Sequence, residues 1–298
     1  MSDASKDDAR VWRSGKGHRD ENFPVASWLI HRRHRDVVLA FYNFVRTADD
    51  IADHAMLPPQ QKLRLLDRLA AGLTGESDED AVAVRLRQHL AARDLSPKHA
   101  QDLLAAFRLD VTKRRYRDWD DLIAYCALSA MPVGRFVCDV HGESRDVWPA
   151  NDALCAALQI INHLQDCKSD YLNLDRVYVP LDDLAACGAT VEALAAPRAA
   201  PALLDCLHKL AARCANLLSE SDVFPFLLND RRLALEVSVI NTLAHRLTRL
   251  LIEHDPLSDR VHLGPPSVAG LTLVGILRAT SRRLGRRLLA TSQKPRGA

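Results

Sequence analysis

Apolar residues recur along most of the chain at the spacing of an amphipathic α-helix. Val37, Val38, Phe41, Val45 and Ala48 recur at three- and four-residue spacing, which places them along one side of a helix. The alternation typical of β-strands is almost absent. The further helices that this period predicts are 81–93, 98–112, 121–141, 151–171, 201–219 and 231–254, with a shorter one around Leu63, Leu66 and Leu69 that ends at Gly72 and Gly75. The pattern therefore predicts an all-α fold.

No internal repeat and no linker divides these helices. We predict one all-α domain at 21–290, between a loosely ordered tail at 1–20 and a short tail at 291–298. Residues 1–20 are polar and charged, without the apolar stretch of a secretory signal. No run approaches the roughly 18 apolar residues that span a bilayer. We therefore expect a cytoplasmic protein, at most peripheral to a membrane.

The composition narrows the choice of function. A formal net charge of +2 argues against a dedicated nucleic-acid binder, and 48% apolar residues suffice for a sizeable core. Seven cysteines stand singly, without a CxxC pair, which indicates reduced thiols and neither a disulfide framework nor a zinc site. Nothing in the sequence resembles a Walker loop, a dinucleotide fingerprint or a Ser/His/Asp arrangement.

The segment at 46–53 carries three aspartates, two of which share a helix face. Asp49 and Asp53 are four residues apart, and stepping back by fours from Asp49 leads to Val45 and Phe41. The carboxylates continue an apolar row and are expected to point inward. Two like charges at this spacing destabilise a helix by about 0.2–0.5 kcal/mol, and burial costs more unless a cation compensates. We therefore expect a cation beside them.

A second oxygen-rich row lies later in the chain. Asn162, Asp166 and Asp170 are spaced by four, and the row runs back through Leu158 and Leu154. Two such rows on separate helices would face each other across a bundle and offer hard oxygen ligands suited to Mg²⁺, which binds substrate phosphates. Magnesium held there would stabilise the charge that develops on a diphosphate leaving group.

Each motif alone has a simpler explanation. One acidic helix turn is usually a solvated face, but two rows that each continue an apolar row favour a metal site. Arg46, three residues before Asp49, is either a surface arginine or a phosphate ligand. His31 and His34 are expected to form a solvated basic turn rather than to bind a metal.

Two segments resemble the signatures of squalene and phytoene synthases: RTADDIAD and NHLQDCKSDYLNLDRVYVP. The residues between them also follow the family's order, with Tyr116, Tyr125 and Val133-Gly134. The resemblance covers roughly residues 21–265. It implies a single-domain isoprenoid synthase (terpenoid synthase) bundle around a central hydrophobic cavity. It also implies Mg²⁺ between the aspartate motifs and an isoprenoid diphosphate as substrate.

The match implies roles residue by residue. The implied metal ligands are Asp49, Asp50, Asp53, Asn162, Asp166 and Asp170, of which Asp49, Asp53, Asp166 and Asp170 are also implied as catalytic. The implied substrate-binding residues are Phe23, Tyr42, Arg46, Tyr116, Tyr125, Gln159, Asn162, Gln165, Arg176 and Tyr178.

Departures from the family's usual pattern indicate one branch. The chain reads ENFPVAS near its start and SAMPVGR at 129–135, and it has Gln165 where condensing enzymes carry an arginine. These changes are similar to the branch of the bacterial hopanoid pathway that converts presqualene diphosphate to hydroxysqualene, with loss of diphosphate and capture of water. No NADPH is then expected. Asn22, Ser129 and Tyr125 are candidates for delivering the water, and each has the alternative of a satisfied core polar group.

Two other functions stay open. A condensing enzyme would join two prenyl diphosphates, and a non-catalytic assembly protein would keep the fold without needing metal ligands; the complete aspartate set favours an enzyme. The basic stretch at 277–289 is either an exposed tail helix or a contact with an anionic membrane, at about 1 kcal/mol per basic residue. Association with sister enzymes of the squalene pathway is a further expectation.

Overall fold

The structure is a computed structural model that describes residues 31–277. In this part of the chain helices follow one another without a strand, and one isolated bridge joins Arg115 and Val177. The α-helices are α1 (Arg32–Asp53), α2 (Pro59–Thr74), α3 (Ala81–Ala91), α4 (Lys98–Thr112), α5 (Trp119–Ser129), α6 (Met131–His141), α7 (Trp148–Gln165), α8 (Cys167–Leu174), α9 (Leu181–Cys187), α10 (Pro201–Ser221), α11 (Phe224–Leu227), α12 (Arg231–Glu253) and α13 (Pro265–Leu277), with 3-10 helices at Arg145–Val147 and Val191–Ala195. The all-α prediction is confirmed.

Several predictions fall outside the described residues. They are the tails at 1–20 and 291–298, the substrate-binding role of Phe23, the water-delivering role of Asn22, and the basic stretch beyond residue 277. The extent of the single domain at 21–290 also stays a prediction.

The helix predicted at 121–141 is divided into α5 and α6. Ala130, between them, leaves the helical region of backbone space (φ −125°, ψ −49°), and Pro132 follows without an N–H to donate. Contrary to the expectation from the sequence, the stretch Trp119–His141 is long and apolar enough to cross a membrane by length and composition. Both of its halves contribute buried side chains to the cores described below, and this packing accounts for their apolar character.

The helix predicted at 151–171 begins earlier, at Trp148, and bends at Asp166 (φ −102°, ψ 6°). Hydrogen bonding continues across the bend. The N–H of Asp166 donates to the carbonyl of Asn162 at 2.9 Å, and the N–H of Asp170 donates to the carbonyl of Asp166 at 2.8 Å. The oxygen-rich row therefore stays on one side although α7 and α8 are separate helices.

The helix α2 continues through Gly72, where the sequence predicted a break. A Cβ on Gly72 would lie 2.7 Å from the Cβ of Ala83, so this glycine lets α2 and α3 pack closely. The helix stops at Gly75, whose φ of 89° forms a left-handed C-cap.

Two buried apolar clusters hold the helices together. One joins α1–α4 to α6 and includes Phe44 and Leu66, and the other is built mainly on α5, α7, α10 and α12 and includes Ile160 and Leu207. The helices α1 and α7, which carry the two oxygen-rich rows, belong to different clusters. The rows therefore meet where the two clusters adjoin. All seven cysteines are free thiols and five are buried, as predicted.

His31 and His34 lie at the start of α1 in different environments. His31 is exposed, as expected, and its Nδ1 accepts the N–H of Arg33. His34 is only 5% exposed, and its ring centroid lies 4.4 Å from that of His141. The prediction of a solvated turn is therefore wrong for His34, because the end of α6 lies against it.

Candidate active site

A cavity of about 440 Å³ lies between α1, α4, α5, α7 and α8. It brings together most of the residues that the sequence singled out. Those lining it are Tyr42, Arg46, Asp49, Asp53, Tyr125, Gln159, Asn162, Asp166, Asp170, Arg176 and Tyr178. Residues far apart in the sequence thus share one space.

The two oxygen-rich rows line this cavity together. Asp49 and Asp53 come from the last turns of α1, while Asn162, Asp166 and Asp170 come from α7, its bend and α8. Within the described part of the chain, no three of these carboxylates bring one oxygen each within 4.8 Å of the others. The rows therefore face one cavity without forming a preassembled three-carboxylate cluster among the described residues.

Burial makes ionisation costly for two carboxyl groups of the cavity, those of Asp49 and Asp170. Burial raises the pKa of Asp49 to about 7, the Asp53 carboxylate adds to the rise, and Arg46 opposes it. Burial also raises the pKa of Asp170 to about 7, with Asp166 as the next contributor. A divalent cation would lower the cost of ionising these carboxyl groups because it stabilises the charged carboxylates. The donors are carboxylate and amide oxygens, so the residues fit Mg²⁺.

Arg46 holds the first aspartate motif in place. Its Nη1 donates to Asp49 Oδ2, and its Nη2 lies 2.9 Å from Asp50 Oδ1. Asp50 is 8% exposed and is not among the residues that line the cavity. The structure places Asp50 as a partner of Arg46, and its role as a metal ligand stays a prediction.

Arg176 closes the cavity wall beside Asp53. It is 5% exposed, and its Nη1 donates to Asp53 Oδ1 at 2.6 Å. Its Nε and Nη2 donate to the backbone carbonyls of Asp110 and Ala52 at 3.0 and 3.2 Å. These carbonyls lie in the last turns of α4 and α1, where acceptors lack intrahelical partners and a cation is favoured. Arg176 thus ties two helix ends together next to the site.

Asp110 is a site residue that the sequence analysis missed. It is 5% exposed, and it accepts hydrogen bonds from the hydroxyls of Tyr125 and Tyr178 at 2.9 and 3.1 Å. Burial raises its pKa to about 6. Asp110 therefore fixes two tyrosines of the cavity wall by their polar ends.

His163 is the second residue that was missed. Its ring stacks on Tyr178 with the centroids 3.5 Å apart, and its Nε2 lies 3.0 Å from Nε2 of Gln159. Because the amide nitrogen is a donor, this ring nitrogen carries no proton. Burial lowers the pKa of His163 to about 3. The ring is therefore neutral, and its Nδ1 lies 4.0 Å from Asp170 Oδ2.

Two predicted substrate-binding residues lie away from the cavity wall. Tyr116 is 1% exposed and stacks on Tyr178, with its own hydroxyl buried and without a partner among the described residues. Gln165 donates through Nε2 to the carbonyl of Val261. Their contact with substrate stays a prediction, and the structure assigns Tyr116 to the packing behind Tyr178.

An apolar cavity of about 240 Å³ adjoins the polar one. Tyr42, Val45 and Val133 line both, so the two spaces lie side by side. At its wall α6 and α7 pack closely. A Cβ on Gly134 would lie only 2.0 Å from Asn151 Oδ1, so the glycine permits this approach. A chamber with carboxylates at one end and apolar walls at the other suits a molecule with an anionic head and a hydrocarbon chain.

An all-α bundle with oxygen-rich rows at one end of an apolar chamber defines the class of helical isoprenoid synthases. The chain belongs to the squalene/phytoene synthase family, which matches residues 17–266. The resemblance seen in the two signatures is thereby confirmed, and the chain is an enzyme of the prenyltransferase type.

Relatives of known function differ in how much of the chain they match. The hydroxysqualene synthase of Rhodopseudomonas palustris is 61% identical over 253 residues, which are 85% of this chain and 87% of the relative. The hydroxysqualene synthase of Zymomonas mobilis is 49% identical over 263 residues, covering 88% and 89%. The phytoene synthase of Mycobacterium tuberculosis is 33% identical over 167 residues, covering 55% and 54%.

Solved structures share the fold. The squalene synthase HpnC from Alicyclobacillus acidocaldarius superposes with a TM-score of 0.70 at 30% identity, covering 82% of this chain and 91% of that one. A dehydrosqualene synthase in complex with a ligand superposes with a TM-score of 0.77 at 22% identity, covering 93% and 98%. The second likeness concerns the fold alone, and together they confirm the predicted isoprenoid synthase bundle.

Proposed function

We propose that this chain converts presqualene diphosphate to hydroxysqualene in a Mg²⁺-dependent reaction of hopanoid biosynthesis. One observation carries the proposal: the oxygen-rich rows of α1 and α7–α8 line one end of an apolar chamber, in a chain 61% identical to a hydroxysqualene synthase. Hard carboxylate oxygens and phosphate oxygens are the ligands that Mg²⁺ combines in enzymes. The apolar end offers the prenyl chains a surface that excludes water.

The polar end would bind the diphosphate. The residues that would hold the metal are Asp49, Asp53, Asn162, Asp166 and Asp170. When bound, Mg²⁺ supplies the positive charge that stabilises the departing diphosphate. Arg46 keeps Asp49 in place through its ion pair, and Arg176 does the same for Asp53.

The reaction is an ionisation followed by addition of water. The bond between carbon and the diphosphate oxygen breaks, and the bonding pair leaves with the diphosphate. The cyclopropylcarbinyl cation that remains rearranges and opens to an allylic cation. Water adds to this cation and loses a proton, which gives the alcohol. No hydride is consumed, so NADPH is not required.

Ser129 is our choice for the group that holds the attacking water. The residue lines the polar cavity, and its Oγ is buried and has no partner among the described residues. Tyr125, the other described candidate, already donates its hydroxyl proton to Asp110. A buried hydroxyl without a partner is costly unless a water or ligand completes its hydrogen bonding.

Two substrates supplied separately test the proposal. The purified full chain is incubated with Mg²⁺, without NADPH, and with either presqualene diphosphate or farnesyl diphosphate. Hydroxysqualene should form from presqualene diphosphate alone. Any product from farnesyl diphosphate alone would instead identify a condensing enzyme. Failure to consume either substrate would favour an assembly protein on the same fold.

Magnesium binding should release protons near neutral pH. Asp49 and Asp170, each with a pKa of about 7 in the metal-free chain, are partly protonated there and must ionise to bind a cation. The apparent Mg²⁺ affinity should therefore fall as the pH drops below about 7 and level off above it. Calorimetric titration in buffers of different ionisation enthalpy measures the released protons.

Two variants separate this effect from other sources of protons. Asp49→Asn should reduce the proton release, because asparagine has no proton to lose. His262→Gln changes an exposed histidine outside the cavity and should leave the release unchanged. Binding of Mg²⁺ near neutral pH without any proton release would contradict the placement of the metal beside these carboxyls.

We also propose that the enzyme acts in the cytoplasm and contacts an anionic membrane through its C-terminal part. The helix α13 exposes Val268, Leu273, Val274 and Leu277, each at least 36% exposed. The arginine-rich stretch that ends at residue 289 follows directly in the sequence. Apolar side chains next to arginines favour anionic interfaces. Association with sister enzymes stays a prediction.

Vesicle flotation tests the membrane contact. The full chain should float with vesicles that contain phosphatidylserine and not with vesicles of phosphatidylcholine alone. Leu273→Ser should weaken this binding, whereas Met56→Ser, which changes a residue 84% exposed elsewhere, should not. Equal binding of the two variants, or no binding at all, would remove α13 from the proposal.

A further inference from the structure

Three potential metal ligands converge outside the cavity. His34 lies in the first turn of α1, His141 is the last residue of α6, and Asp230 caps the start of α12. One ligand atom from each residue lies within 4.8 Å of the other two. In residues 31–277 this is the one such set of three, and it shares no residue with the polar cavity.

The ring of His141 is oriented as that of a metal-binding histidine usually is. Its Nδ1 lies 2.8 Å from the carbonyl oxygen of Val137. A carbonyl only accepts, so Nδ1 carries the proton and the lone pair is on Nε2. A histidine that binds a metal through one nitrogen commonly donates its other N–H to such an acceptor. His141 therefore offers Nε2 in the tautomer that a cation requires.

His34 is buried with part of its hydrogen-bonding capacity unused. It is 5% exposed, and its Nδ1 has no partner among the described residues. Its Nε2 accepts the Nε–H of Arg33, and a guanidinium only donates, so this ring nitrogen carries no proton. The ring is thus neutral, which is the protonation state that binds metals.

Asp230 supplies a carboxylate in a fixed position. Its Oδ1 accepts the N–H groups of Arg232 and Leu233 at 2.8 and 3.0 Å, and its own N–H donates to Glu143 Oε1 at 2.7 Å. These bonds set the direction of the side chain and engage only one carboxylate oxygen. The second oxygen is left for a cation.

We propose that His34, His141 and Asp230 form a second metal site, which takes a divalent transition-metal cation of the Zn²⁺ type. Two imidazoles and one carboxylate suit such an ion, whereas Mg²⁺ prefers oxygen ligands alone. Three protein ligands leave a further position for water. The site goes beyond the proposed function, because it lies apart from the residues assigned to the diphosphate.

A cation there would connect three helices. It would tie the beginning of α1 to the end of α6 and the beginning of α12. The opposite end of α1 carries Asp49 and Asp53. The metal would therefore stabilise the folded chain, because a ligand that binds only the folded state shifts the unfolding equilibrium.

Arg33 donates a hydrogen bond to the ring of His34 and would compete with a cation there. Its Nε donates to His34 Nε2 at 2.8 Å. A metal bound to either ring nitrogen displaces this bond, since a neutral imidazole keeps one protonated nitrogen. Arg33 is exposed and can turn into solvent. Its removal should therefore strengthen metal binding.

Cobalt and zinc binding test the site without any use of turnover. The full chain is stripped of metal with a chelator and titrated with Co²⁺ or Zn²⁺ in excess Mg²⁺, which occupies the oxygen-rich rows. We expect about one tightly bound ion per chain, a visible Co²⁺ spectrum of nitrogen ligation, and a higher unfolding temperature with Zn²⁺. Equilibrium dialysis gives the stoichiometry.

The variants are chosen to keep the fold. Asp230→Asn preserves the helix cap, because asparagine caps as well as aspartate, and His141→Gln keeps a polar side chain. Each should weaken binding by more than about 100-fold, since even outer-shell changes cost 10–100-fold. Arg33→Ala should bind more tightly, and His262→Gln, at an exposed position, should bind as the parent chain does.

The proposal and the proposed function fail in different ways. A parent chain that binds no Co²⁺ in excess Mg²⁺ would overturn the second site even if presqualene diphosphate is consumed. So would Asp230→Asn and His141→Gln variants that bind Co²⁺ as the parent does. Conversely, loss of the site in these two variants supports the proposal whatever the substrate test shows.

Discussion

Asp166→Asn is expected to lower the turnover of presqualene diphosphate by about a thousandfold or more. Asparagine keeps the size of the side chain but lacks the charge that holds a divalent cation against a diphosphate. Asp166 lies at the bend between α7 and α8, on the same row as Asn162 and Asp170. Steady-state kinetics with presqualene diphosphate at saturating Mg²⁺ measures the loss.

A matched carboxylate serves as the control. Asp67 is 66% exposed and pairs with Arg108 at 2.8 Å, outside the cavity. Asp67→Asn should keep the turnover of the parent chain, and both variants should keep its helical circular dichroism. Full activity of Asp166→Asn would refute the assignment of this row to the metal.

The helical repeat predicts an element well when one face of the helix lies in a core. The predicted helices at 98–112 and 201–219 correspond to Lys98–Thr112 and Pro201–Ser221. The period records burial, so it does not show where a helix bends or how closely two helices approach. Gly72 was therefore mistaken for a helix end, because the sequence does not show that α3 packs against it. Helices as short as α11 contain too few residues for a period.

The continuation of an apolar row into carboxylates located both halves of the candidate site. The same argument applied to α4 would have found Asp110, which follows Leu103 and Phe107 at spacings of four and three. Asp50 and Gln165 do not line the cavity, and their roles stay predictions from the motif. Each is one residue from a row and points about 100° away from it, because a helix has 3.6 residues per turn.

Neighbours that come from distant segments explain the remaining differences. His163 is one residue from the row of Asn162, and its role depends on stacking with Tyr178, which follows α8. His34 looks solvated in its own segment, yet His141 covers it from the end of α6. The local sequence predicts on which face of its own helix a residue lies. It does not predict which side chain of another helix packs against that face.

Arg176→Met is expected to lower the free energy of unfolding by about 3 kcal/mol or more. Methionine replaces the apolar stem of the side chain but leaves the carbonyls of Ala52 and Asp110 without the guanidinium donors. Those carbonyls belong to the ends of α1 and α4, whose dipoles favour a cation. Asp53 loses its 2.6 Å partner as well. Denaturation by urea measures the change.

The control is an arginine–aspartate pair at the surface. Arg108→Met removes the partner of Asp67, whose side chain is 66% exposed, and should cost only about 0–1 kcal/mol. The slope of unfolding free energy against urea should stay the same in both variants, because each changes stability without changing the area buried. Equal losses in the two variants would mean that water replaces the guanidinium of Arg176 at the helix ends. Arg176 would then add no more to the stability of the fold than a surface arginine does, and the position of Asp53 would depend on α1 alone.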